Sequence, residues 1–103
     1  MKKLEGFQKK YLRGLAHSLK PVVLIGQKDL TAEVLRSAEQ ALGKHELIKV
    51  KYHDFKEKEQ KAALIERLGQ ETGSEIVGVI GHTAVFYRQQ SDPEKRKISL
   101  PQR

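Results

Sequence analysis

Apolar side chains recur along the chain in two rhythms, and the switches between them mark out its elements. From Phe7 to Leu19 the positions Phe7, Tyr11, Leu12, Leu15, Ala16 and Leu19 share about half of a helical wheel. Lys9, Lys10, Arg13, His17 and Lys20 fill the opposite arc, so one face is expected to bury and the other to present cations. Pro21 ends this helix, because proline disfavours helical geometry in the residue before it. Val22-Val23-Leu24-Ile25 then runs without alternation, the pattern of a strand covered on both faces.

Past the short loop Gly26-Gln27-Lys28-Asp29, Thr31 has the side chain of an N-cap. The helix it opens carries Val34, Leu35, Ala38, Ala41 and Leu42 on one stripe and is expected to stop at or soon after Gly43. Leu47 to Tyr52 alternates, which places Ile48, Val50 and Tyr52 inward and Lys49 with Lys51 towards water. Asp54 and Glu57 form the pattern of a capping box for a third helix that continues through Ala62, Ile65 and Leu68 towards Gly73. Ile76–Ile80 and Ala84–Tyr87 read as two strands joined at Gly81-His82 in a hairpin. The predicted fold is α/β, in the order α-β-α-β-α-β-β. It consists of a two-layer body with a four-stranded mixed sheet, plus the N-terminal helix.

A chain of 103 residues is expected to form a single domain, with a compact body over about 4–88. Residues 89–103, with Ser91, Asp92, Pro93 and the run Lys95-Arg96-Lys97, read as a flexible basic tail whose Ile98 and Leu100 return to the body. With no cysteine there is no disulfide framework and no thiolate ligand. No apolar run follows the N-terminal lysines and none reaches membrane-spanning length, so a cytoplasmic protein without membrane contact is expected.

Charge changes the picture more than composition does. Of the net +7, residues 1–28 supply +6, seven basic side chains standing against Glu5 alone. That asymmetry favours a polyanionic partner. The arc of Lys9, Lys10, Arg13, His17 and Lys20 contains no acid, and such a surface suits sequence-independent phosphate binding. The loop from Gly26 to Asp29 joins a strand to a helix start, where backbone amides and the helix dipole suit a phosphate. An ordinary strand-to-helix turn explains the glycine equally well. The loop lacks the Gly-Lys-Ser/Thr ending of a nucleotide P-loop. His17, His45, His53 and His82 have no metal-type spacing, so no metal is expected. Tyr52, Phe86 and Tyr87 read as core, and no serine sits in a nucleophile elbow, so neither catalysis nor a cofactor or small-molecule substrate is expected.

The segments Lys9-Lys10-Tyr11-Leu12-Arg13-Gly14-Leu15-Ala16-His17, Lys20-Pro21-Val22-Val23, Gly26, Leu30-Thr31, His45-Glu46-Leu47-Ile48-Lys49-Val50-Lys51, Ile80-Gly81 and Lys97-Ile98-Ser99-Leu100-Pro101 closely resemble the bacterial YhbY proteins. These are stand-alone CRM domains (chloroplast RNA splicing and ribosome maturation). The resemblance implies an RNA-binding protein associated with precursors of the large ribosomal subunit, with a role in their assembly. It also implies the fold of the C-terminal domain of the initiation factor that binds the small subunit, with an added N-terminal helix. The family's Gly-x-x-Gly loop matches Gly26, Gln27 and Lys28, but its fourth position is Asp29. A carboxylate there repels phosphate and leaves more of the grip to the helix.

The expected ligand is therefore ribosomal RNA, bound by a monomer. Its contacts are Lys9, Lys10, Arg13, His17, Lys20, the loop Gly26, Gln27, Lys28 and Asp29, and Lys49 and Lys51 extending the track. The alternative is an adaptor that docks its basic face on a ribosomal or assembly protein.

Overall fold

The computed structural model describes residues 3–26, 30–53 and 58–102. Its order is α1 (Gly6–Ala16), β1 (Pro21–Ile25), α2 (Ala32–His45), β2 (Leu47–Tyr52), α3 (Lys58–Thr72), β3 (Glu75–Ile80) and β4 (Thr83–Tyr87), followed by a 3-10 turn at Pro93–Lys95. The strands form one mixed sheet in the order β1-β2-β4-β3, with β1 and β2 parallel and β4 antiparallel to both its neighbours. This is the α/β architecture with a four-stranded mixed sheet that the hydrophobic pattern predicts.

Each face of the sheet has its own core. On one, α2 and α3 bury Ala38, Leu42, Leu64 and Leu68 against Val23, Ile25, Ile48, Val50 and Phe86. On the other, Leu12 and Ala16 of α1 pack with Leu4 against Leu47, Val77, Val85 and Tyr87. Thus the helix added at the N-terminus covers the face that α2 and α3 leave open. It lies over β2, β4 and β3.

Beyond its reach, β1 is half bare. Val22 is 50 % and Leu24 69 % exposed, so the apolar run of β1 is not covered on both faces. Only Val23 and Ile25, turned towards α2, are buried. Uniform hydrophobicity could not reveal this, because it carries no information about which neighbour is absent. Of the apolar arc of α1, only Leu12 and Ala16 are buried, whereas Tyr11, Leu15 and Leu19 are exposed. The helix itself ends at Ala16, short of Leu19, with one further turn closed by the Leu19 amide on the Ala16 carbonyl.

Local signals in the sequence set most of the boundaries. The Thr31 hydroxyl accepts from the Val34 amide at 3.2 Å, as an N-cap does. Gly73 ends α3 at φ 64, and Gly81 takes φ 58 in the β3–β4 turn, both in the region glycine favours. Asp54 and Glu57, the expected cap of α3, lie outside the described residues. Tyr52, Phe86 and Tyr87 behave as core: Tyr52 donates its hydroxyl to the Gly81 carbonyl at 3.0 Å, which braces the hairpin turn.

α2 runs through Gly43 and stops at Glu46, which sits at φ 65, ψ −40. A non-glycine residue held there costs about 1–3 kcal/mol. Glu46 is 1 % exposed, yet its carboxylate is fully used. Oε2 accepts from the Gln90 amide at 2.7 Å, and Oε1 from the amides of Lys97 and Ile98 at 2.6 and 3.0 Å. Its carbonyl accepts from the Arg88 amide at 2.8 Å. Residues 90–98, which read as a flexible tail, are thus tied to the end of α2. Ile98 and Leu100 pack against the α1 core.

Replacing Glu46 with Ala is expected to cost about 3 kcal/mol in urea denaturation, since charged hydrogen bonds contribute about 1.5–3 kcal/mol each. Hydrogen exchange at the Lys97 and Ile98 amides should accelerate in the same variant. A second expectation concerns alkali. Burial, reinforced by the Glu46 carboxylate, pushes the Tyr87 phenol up to about 12. An unfolded tyrosine ionises near 10, so stability is full below pH 10 and falls as pH rises towards 12, by at most about 3 kcal/mol. Denaturation from pH 9 to 12 should show that decline reduced in Tyr87→Phe.

Candidate nucleic-acid interface

The cations singled out in the sequence do not all gather. Lys10, Arg13 and His17 lie on the exposed side of α1, and Lys20 stands exposed where the chain turns into β1. Lys20 and Lys49 line one cavity at the C-terminal end of α1, so two segments far apart in sequence meet there. Lys51 lies two residues beyond Lys49 on the same face of β2 and is exposed. Lys9 turns the other way: it is half-buried beside Glu66 and Glu75, over the junction of α3 and β3. Gly26 is exposed at the end of β1, with open space where a side chain would sit. Gln27, Lys28 and Asp29 lie outside the described residues.

Two members of the cationic set hold the fold together. The Arg13 guanidinium donates to the Val77 carbonyl at 3.0 Å, and its aliphatic stem lies against Gly78. A Cβ at position 78 would meet the Arg13 Cδ at 2.8 Å, so the absent side chain is what makes room for the Arg13 stem on β3. Lys49 donates to the His17 carbonyl at 3.3 Å, placing a cation at the negative end of the α1 dipole. Arg13 and Lys49 thus pin α1 from its two sides. Among the described residues no carboxylate pairs with Lys10, Lys20, Lys49 or Lys51, whereas Arg88 is bound to Glu39 at 2.8 Å.

Beside these cations lies an apolar surface that the hydrophobic pattern assigns to the core. Leu24, Lys51, Thr83 and Ile80 sit side by side across the four strands, and Ile80 is 75 % exposed. Leu15, Leu19 and Val22 wall the cavity that Lys20 and Lys49 share. Periodicity detects apolar residues but not whether a partner element covers them, so the sequence held no sign of this patch. Among the described residues no cluster of His, Asp and Glu has the makings of a metal site, and no helix is long and apolar enough to cross a membrane.

The sequence of this chain matches a known family. Residues 4–88 match the CRS1 / YhbY (CRM) domain, and the chain belongs to that family. It is 45 % identical over 96 residues to an "RNA-binding protein" of Haemophilus influenzae, with 93 % of each chain covered. It is 40 % identical to a "Probable RNA-binding protein" of Pseudomonas aeruginosa, over 90 % of this chain and 88 % of that one. Among solved structures, the solution structure of a hypothetical protein of Staphylococcus aureus superposes with a TM-score of 0.77 at 36 % identity, covering 96 % of this chain and all of the other.

Replacing Arg13 with Ala is expected to lower stability by about 1–1.5 kcal/mol, the worth of a part-buried hydrogen bond and its packing. Lys10→Ala and Lys20→Ala should stay within about 0.5 kcal/mol of the wild type. Equilibrium urea unfolding of the three variants checks the contrast.

Proposed function

We infer that this protein is a non-catalytic RNA-binding domain that acts on ribosomal RNA in precursors of the large subunit, during assembly in the cytoplasm. One observation carries the reading. A flank of exposed cations, with Lys10, Lys20 and Lys51 unpaired by any carboxylate among the described residues, lies on a member of the CRM family. Phosphates displace counterions from such a flank without regard to sequence. The names of the relatives support RNA as the polyanion. The large-subunit setting is what the resemblance to the YhbY proteins implies.

Roles follow from position. Lys10, Lys20 and Lys51 are free to take phosphates directly. Arg13 and Lys49 hold α1 on the sheet and add field, and Lys49 reaches a phosphate by leaving the His17 carbonyl. His17 adds a donor on the same flank. Gly26, exposed at the end of β1 with open space where a side chain would sit, lets a phosphate approach the backbone there. Lys9, beside two carboxylates, contributes least.

If about five phosphates are engaged, log affinity falls with log salt at a slope of about −3.5 to −4.5. The triple replacement of Lys10, Lys20 and Lys51 by Ala is expected to weaken all RNAs alike and to flatten that slope by about 2 to 3. Fluorescence anisotropy across a salt series measures both, and an unaltered slope in a folded variant removes the flank from the mechanism. In lysate, nuclease treatment before sedimentation should release the protein from large particles. Retention on a protein partner after the RNA is destroyed would instead establish the adaptor reading.

A further inference from the structure

The apolar flank beside the cations has no use in a purely phosphate-gripping surface. A duplex presents phosphates, sugars and hydroxyls, with its base faces hidden in the stack. Against it, Leu15, Leu19 and Val22 would lose water without gaining an apolar partner. Yet these three residues and Leu47 line one cavity of about 410 Å³, walled almost wholly by apolar atoms. That volume falls in the range that holds small organic ligands, and it accommodates a purine base.

The chemistry of its rim says what kind of occupant fits. Lys20, Lys49 and His45 are the polar residues of its lining, and no carboxylate is among them. The apolar lining asks for a flat or aliphatic group, and the lysines ask for an anion joined to it by a short spacer. A nucleotide combines both in one unit. A strand whose phosphate rests on Lys20 and Lys49 carries its base within reach of the cavity, provided that base is not paired.

We propose that the cavity between the end of α1 and β1 receives an unpaired base, so that the preferred ligand is a single-stranded or bulged RNA segment rather than a continuous duplex. This rests on the RNA-binding reading above and specifies its substrate class. Lys20 and Lys49 hold the flanking phosphate, while Leu15, Leu19 and Val22 provide the apolar contact. The exposed Tyr11 ring, one helical turn before Leu15, offers a stacking face to the neighbouring base.

The test compares a fully paired hairpin, the same hairpin with a two-nucleotide bulge carrying 2-aminopurine, and a single strand of equal length. The wild type is expected to bind the bulged and single-stranded RNAs about tenfold or more tighter than the paired hairpin, the worth of one buried base. In the double variant Leu19→Ser/Val22→Ser, both positions being surface-accessible, that advantage should shrink to about threefold or less while the salt slope stays that of the wild type. The 2-aminopurine emission should change on binding the wild type and not the variant. Equal wild-type affinity for all three RNAs overturns the proposal but leaves the phosphate-binding reading standing. A full advantage retained by the double variant overturns it too. If the variant keeps its RNA profile but loses a protein that the wild type retains from nuclease-treated lysate, the cavity belongs to a protein partner and the proposal falls. Absence of binding to any of the RNAs sinks both readings.

Discussion

The seating of α1 on the sheet decides what this protein can present to a partner. Leu12 and Ala16 bury themselves over β2, β4 and β3, and the small size of Gly78 leaves room for the Arg13 stem on its way to a strand carbonyl. Because the helix settles towards β3, it leaves β1 and the far end of the sheet open. Every surface feature of interest follows from that offset. Lys10 stays in water, Lys20 is carried round to meet Lys49, and Val22 and Leu24 of β1 have no cover. Had the helix lain centrally, the same sequence would have a larger core and no cleft.

The end of α2 is the second constraint. Glu46 adopts a backbone conformation that a non-glycine residue avoids, and its buried carboxylate gathers three amides from the chain beyond β4. The strain and the bonds belong together. The turn aims the carboxylate inward, and the amides it collects offset the cost of the turn. Through Ile98 and Leu100 this clasp also completes the core beneath α1 and supplies one wall of the cleft.

How much of this was legible beforehand divides along a physical line. Features encoded by neighbours in sequence were readable: the helix opened by Thr31, the stop at Gly73, the hairpin at Gly81 and His82, and the alternation of β2. Features that depend on what packs where were not. Val22 and Leu24 have core-like side chains, and only the position of α1 makes them surface. Arg13 reads as one cation among five, and only its distance to Val77 gives it a structural task. Glu46 sits between a histidine and a leucine with nothing to mark it as buried. The basic flank itself was evident from charge counting, because a run of cations without acids needs no tertiary information to be noticed.

One consequence of the sheet order remains. β1 is an outermost strand with aliphatic side chains in water, the kind of border along which copies of a chain stitch together into aggregates. Its first residue, Pro21, has no amide hydrogen to offer, and its pairing with β2 slips between Pro21 and Val23. A border so blunted is a poor template for another strand, and a surplus of like charge keeps neighbouring molecules apart. The protein can therefore keep greasy residues on display for a partner without their becoming a seed for self-association.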